Sequence, residues 1–151
     1  MTQKKAILCV GIDSFEKGIS PLLGAANDAR KLGSVFELLL GFQVTVLTHD
    51  DLKSGRNLMG TAEKMLDGFG EGDVFGLFLA THGKEVPARN ERVFLLPQAR
   101  RSSLEGGAYG EGLLPLSQLA NETARRGVSR FFIFDACRSH IEAERAEAQD
   151  R

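Results

Sequence analysis

Apolar residues in this chain fall into short dense runs, separated by stretches where they recur every three or four positions. Residues 6–12 (Ala-Ile-Leu-Cys-Val-Gly-Ile), 73–81 and 129–135 are runs of the first kind. Each is bounded by polar residues or glycine and predicts a buried strand. Residues 42–47 alternate and carry β-branched side chains, predicting another strand. Both faces of the run Phe131, Phe132, Ile133, Phe134 are apolar. That predicts a strand in the centre of a parallel sheet covered by helices on both sides.

The stretches between the runs have helical spacing. Ala29, Leu32, Val35, Phe36, Leu39 and Leu40 predict a helix started by Asn27 or Asp28 and ended by Gly41. Leu58, Ala62, Met65, Leu66 and Phe69 predict a second, from Asn57 to the glycines at 68–72. Leu116, Leu119, Ala120, Thr123 and Ala124 predict a third. Residues 92–97 read as a short strand, half of a hairpin, and 13–24, 49–51 and 98–112 read as loops. Strands alternating with helices predict an α/β three-layer sandwich with a mainly parallel central sheet. One domain, 1–140, is expected, followed by a charged tail, 141–151, able to form a helix but with little to bury.

Composition narrows the function classes. The chain has 151 residues, 42% of them hydrophobic, and a formal net charge of −1. That is enough chain for a sizeable core, and no basic excess points to nucleic acid. The first twelve residues are too short and too interrupted for a secretion signal or a membrane span. Two cysteines, Cys9 and Cys137, make no disulfide framework, so a reducing, cytoplasmic setting is expected. Cys9, inside the first strand, reads as a packed hydrophobe.

The chemistry is concentrated where strands end. If the strands are parallel, His82 after the third and Cys137 after the last emerge at one edge of the sheet. Asp28, beyond the loop leaving the first, joins them there. Ligands bind at that edge in open α/β sheets. A cysteine beside a histidine suits nucleophilic acyl transfer: the imidazole activates the thiol and later protonates the leaving amine. Gly83 leaves room for a substrate carbonyl, and its N–H with that of Cys137 would form an oxyanion hole. Other sites are not supported. Cys137 and His140 lack further zinc ligands, and the glycines at 68–72 precede a strand, unlike a dinucleotide loop. Asp50 and Asp51 would suit a phosphoacceptor only beside the first strand, where Asp13 stands alone.

The blocks Leu79-Ala-Thr-His-Gly83 and Phe134-Asp-Ala-Cys-Arg138 resemble the histidine and cysteine boxes of the caspase–metacaspase superfamily of cysteine peptidases. That superfamily carries its histidine about 50 residues upstream of the cysteine. Residues 5–11 with 23–29, 93–97 and 114–119 are similar to further metacaspase blocks, in the same order. The resemblance implies a caspase-like fold, with His82 as general acid/base and Cys137 as nucleophile. It also implies an acidic primary pocket from Asp28 and Asp135 that selects Arg or Lys in a peptide or protein substrate, which two carboxylates could bind bidentately. Three departures stand out. Ala80 replaces a pocket serine. Residues 84–92 are mixed in sign where metacaspases place a calcium-binding acidic cluster, so no metal or other cofactor is expected. The small-subunit segment after Cys137 is minimal or absent, leaving a sheet edge for a second copy or a partner chain. Arg100 and Arg101 in the long loop would suit self-cleavage by an Arg-specific enzyme. A non-catalytic caspase-fold interaction module is the alternative.

Overall fold

A computed structural model describes residues 2–16, 18–86, 89–100 and 112–136. Four strands, β1 (Lys5–Gly11), β2 (Gln43–Thr48), β3 (Val74–Ala80) and β7 (Ser129–Asp135), form one sheet in the order β2-β1-β3-β7. Every neighbouring pair is parallel. The expected α/β architecture is therefore present.

The twofold period of the strands sorts the core into two layers. From β1, Leu8 and Val10 join Leu77 and Leu79 of β3 in a cluster that also receives Leu58, Ala62 and Leu119. Those last residues come from helices α3 (Leu58–Met65) and α4 (Leu116–Glu122). From the other face, Ile7 and Cys9 of β1 and Phe78 of β3 pack with Ala25, Ala29 and Phe36 of α1 (Ala25–Leu40). Gly11 and Gly76 permit this closeness. A Cβ at Gly11 would stand 2.2 Å from the Ala25 carbonyl oxygen, and one at Gly76 would stand 2.3 Å from the Phe131 ring.

A smaller antiparallel sheet joins β4 (Gly83–Val86), β5 (Glu91–Leu95) and β6 (Leu113–Pro115). It supplies the other half of the hairpin expected at 92–97. It grows directly from the end of β3: the Leu95 amide donates to the His82 carbonyl at 2.9 Å, and Thr81 Oγ1 donates to the Leu95 carbonyl at 2.6 Å.

Four expectations need correction. The strand carrying the aromatic run is not central: β7 closes one end of the sheet among the described residues, and Ile133 is 38% exposed. Its aromatic side chains pack inward, and among the described residues no further strand lies beyond it. Helix α1 starts before Asn27 and Asp28, at Ala25, with Gly24 as its cap residue at φ 96°. Residues 49–51 are not a loop but open a short helix, α2 (His49–Lys53), in which the Asp51 carboxylate accepts the Thr48 N–H at 2.9 Å. Strand β6 continues out of what reads as one long loop, its three residues being too few for a periodicity signal. The paired arginines are split: Arg101 lies outside the described residues, as do His140 and the tail 141–151.

Candidate active site

The register fixes the carboxyl edge of the sheet. Thr48, Gly11, Ala80 and Asp135 stand side by side across the four strands. One step further, Ile12 donates to the Ala80 carbonyl at 2.9 Å and Thr81 to the Asp135 carbonyl at 3.2 Å. The row beyond carries Asp13 and His82. Cys137, next after Ala136, lies outside the described residues.

His82 is the best defined of the expected site residues. It is 1% exposed, and its Nε2 lies 2.8 Å from the Ser20 carbonyl oxygen. A carbonyl only accepts, so Nε2 carries a hydrogen, and the tautomer this bond selects places its lone pair on Nδ1. Nδ1 is buried and has no hydrogen-bond partner among the described residues. Leaving such an atom unpaired costs on the order of 1–3 kcal/mol. Phe15 packs on the ring with centroids 5.0 Å apart. One nitrogen is thus anchored, and the other is left without a partner among the described residues.

The loop from 13 to 24 does this anchoring. Asp13 accepts the N–H groups of Ala25 and Ala26 through its two carboxylate oxygens, at 2.7 and 3.1 Å, and its own carbonyl accepts from Leu22 at 2.8 Å. Glu16 donates to the Pro97 carbonyl at 3.0 Å, and Ile19 is buried with Leu95 and Ala99. None of this was legible in the sequence. Ser20 acts through its backbone, and Asp13 caps a helix twelve residues away, outside the usual capping window.

Gly83 begins β4, paired with Phe94. Because the neighbouring pair His82 and Leu95 carries a ladder bond, the alternation of antiparallel pairs turns the Gly83 N–H away from β5. A Cβ at Gly83 would lie 3.1 Å from the Ala136 Cβ, so glycine lets the ends of β3 and β7 come together. Arg92, absent from the sequence-based site, lies alongside and donates from Nη2 to the Ala136 carbonyl at 3.5 Å.

Asp28 and Asp135 are both exposed. Asp28 lies in the first turn of α1, whose start abuts Gly11 at the carboxyl edge. Asp135 shares strand parity with Phe131, which stacks on Phe36 of α1 with centroids 5.8 Å apart. Both carboxylates therefore belong to the α1 side of one sheet edge. Among the described residues, no three His, Cys, Asp or Glu side chains are grouped to hold a metal ion, and no helix is long and apolar enough to cross a membrane.

A family model described as "Caspase domain" matches residues 4–151, and the chain belongs to this caspase-like family of cysteine peptidases. No curated protein matches. Among solved structures, a crystal structure of a Geobacter sulfurreducens protein superposes with a TM-score of 0.68 at 21% identity, sharing the fold. The match covers 98% of this chain and 56% of that one, so this chain spans little more than half the length of its structural neighbour.

Proposed function

From membership in the caspase-domain family, we propose that the chain is a cysteine endopeptidase domain cleaving after Arg or Lys, with Cys137 as nucleophile and His82 as general acid/base. The observation that carries this reading is the His82 ring, held through Nε2 at 2.8 Å from the Ser20 carbonyl while Nδ1 is left unpartnered among the described residues. His82 Nδ1 takes the proton of the Cys137 thiol, the thiolate sulfur attacks the scissile carbonyl carbon, and the carbonyl π pair moves onto oxygen. Collapse of that oxyanion expels the amine, which takes its proton from His82, leaving a thioester that water hydrolyses. The N–H groups of Gly83 and Cys137 would receive the oxyanion, each such donor being worth roughly 3 kcal/mol. The Gly83 amide, turned away from β5, supports that role. Asp28 and Asp135 would hold the basic side chain, which their shared edge and face support.

The test is turnover of a fluorogenic peptide ending in Arg, by wild type, Cys137→Ala and His82→Ala. Both variants should lose turnover, and an inert wild type would reject the autonomous enzyme. Asp135→Ala should lose the Arg peptide selectively. Equal loss on an Asp-terminated peptide would reject the acidic pocket.

The position of β7 at the end of the sheet among the described residues, together with the 56% coverage of the structural neighbour, favours a second form of this reading, in which a partner chain or second copy completes the groove. Turnover that rises faster than linearly with protein concentration would distinguish it. The same two observations leave room for a non-catalytic interaction module, which wild-type turnover would exclude.

A further inference from the structure

Where β1 runs out, its backbone still has donors to satisfy. Ile12 donates toward β3, to the Ala80 carbonyl at 2.9 Å. Successive N–H groups of a strand point to opposite neighbours, so the Asp13 N–H faces the β2 side. There the last pair is Gly11 with Thr48, and the next residue, His49, already opens α2. A side chain stands in for the ladder carbonyl: the Asp13 N–H donates to His49 Nδ1 at 3.3 Å. Nδ1 can accept only in the tautomer with its hydrogen on Nε2, and Nε2 stands 3.8 Å from Asp50 Oδ1. One turn on, along the same face of α2, Lys53 Nζ donates to Ser14 Oγ at 2.7 Å.

Satisfying one orphan donor would be reason enough for a polar side chain. The identity of that donor gives His49 a longer reach, because the loop from 13 to 24 closes on Asp13. Its carbonyl accepts from Leu22 at 2.8 Å, and its carboxylate accepts from Ala25 and Ala26 at 2.7 and 3.1 Å. The chain between these bonds lays Phe15 on the His82 ring, with centroids 5.0 Å apart. It also brings the Ser20 carbonyl to 2.8 Å from His82 Nε2. The bonds to Leu22, Ala25 and Ala26 thus close the loop, and the bond to His49 fixes Asp13 itself.

We infer that His49 is a positioning residue for His82. By accepting the Asp13 N–H, it keeps the Ser20 carbonyl on His82 Nε2, and so keeps the His82 hydrogen on that nitrogen and the lone pair on Nδ1. The effect on turnover rests on the reading of His82 as general acid/base; the state of the His82 ring is measurable without it. In this role His49 transfers no proton and touches no substrate.

The experiment compares wild type with His49→Phe, which keeps a ring and removes the acceptor, and His49→Asn, whose Oδ1 reaches the place of Nδ1. The chain holds three histidines, so proton–nitrogen correlation spectra of the rings should resolve each of them. At roughly pH 8, above the ordinary histidine range, wild-type His82 should show a protonated Nε2 and a bare Nδ1, widely separated in shift. In His49→Phe the two His82 nitrogens should draw together, the mark of mixed tautomers, and His49→Asn should restore their separation. Amide exchange of Ala25 and Ala26 should quicken about tenfold in His49→Phe, the order one net hydrogen bond supports. Leu77, bonded inside the sheet, should keep its wild-type rate. On the Arg-terminated peptide, His49→Phe should lose about tenfold in kcat with KM within about twofold, and His49→Asn should recover it. A folded His49→Phe with wild-type His82 shifts overturns the inference. Equal acceleration at Leu77 does so too, because it marks a global loss of stability. If His49→Phe does not fold, His49→Gln, which moves the acceptor outward by one bond, takes its place under the same readouts. If wild type cleaves no peptide, the peptidase reading fails, and the His82 shifts and amide exchange alone decide for or against His49.

Discussion

The carboxylate of Asp13 accepts the backbone N–H of Ala25 at 2.7 Å, so the loop leaving the inner strand β1 caps the helix that packs on it. A second bond to Ala26, at 3.1 Å, uses the other oxygen. Two of the amides that an α-helix leaves unpaired at its start are thereby satisfied by an anion lying along the favourable end of the helix dipole. The loop closed by this contact also delivers Phe15 and the Ser20 carbonyl to His82. We expect Asp13→Ala to lower stability by about 1–2 kcal/mol in urea unfolding. Asp13→Asn should retain part of that, because one acceptor oxygen remains while the amide nitrogen opposes the other N–H. Unfolding midpoints identical to wild type in both variants would show that Gly24 alone suffices as a cap.

The two cysteines should differ sharply in reactivity. Cys9 is fully buried in β1, and burial pushes its thiol up to about 11. Only the thiolate is nucleophilic, so Cys9 is protected both by the lack of access and by its proton. In the folded protein near neutral pH, iodoacetamide should leave Cys9 unmodified over times that suffice to alkylate it fully in guanidinium. Comparable labelling of Cys9 in both conditions would mean that β1 opens readily.

The parallel sheet was legible because three of its strands are dense apolar runs and its helices repeat cleanly. His82 was legible because it follows such a run and precedes Gly83. The position of β7 was not. Phe131 and Phe134 look alike in sequence, yet one packs on α1 and the other on Phe94 of the small sheet, at 4.6 Å between centroids. An end strand covered on both faces has the same pattern as a central one. The supports of the site were hidden for a different reason. Ser20 contributes a carbonyl that every residue has, and the contacts of Asp13 with Ala25 and of Arg92 with Ala136 join loops and strands that only folding brings together.

Gly76 should resist any side chain. Its missing Cβ would meet the Phe131 ring at 2.3 Å, and that ring is held by Phe36 at 5.8 Å and Phe42 at 6.0 Å between centroids. The ring has little room to retreat, so Gly76→Ala should destabilise by about 1–3 kcal/mol. Pairing it with Phe131→Leu should cost less than the sum of the two single changes, since residues in direct contact couple. Simple additivity in urea unfolding would show that the strain is relieved elsewhere.

Asp73 governs part of the acid response. Its carboxylate accepts the Lys4 N–H at 2.8 Å and the Gly70 N–H at 2.9 Å, tying the chain before β1 to the turn before β3. The backbone bond from Lys4, then that from Gly70, holds this carboxyl below its ordinary value, with a smaller contribution from the Lys4 charge. The folded state therefore binds the Asp73 proton less readily than the unfolded chain, in which an aspartate titrates near about 3.9. The stabilisation is fully present above that pH and is lost as pH falls through the lower folded value. Asp73→Asn should lower stability at neutral pH, and the gap to wild type should narrow as pH falls below about 4 and the native carboxylate takes up its proton. Urea unfolding of the two proteins from neutral to acid pH decides the matter: a gap independent of pH would mean that Asp73 acts by shape and not by charge.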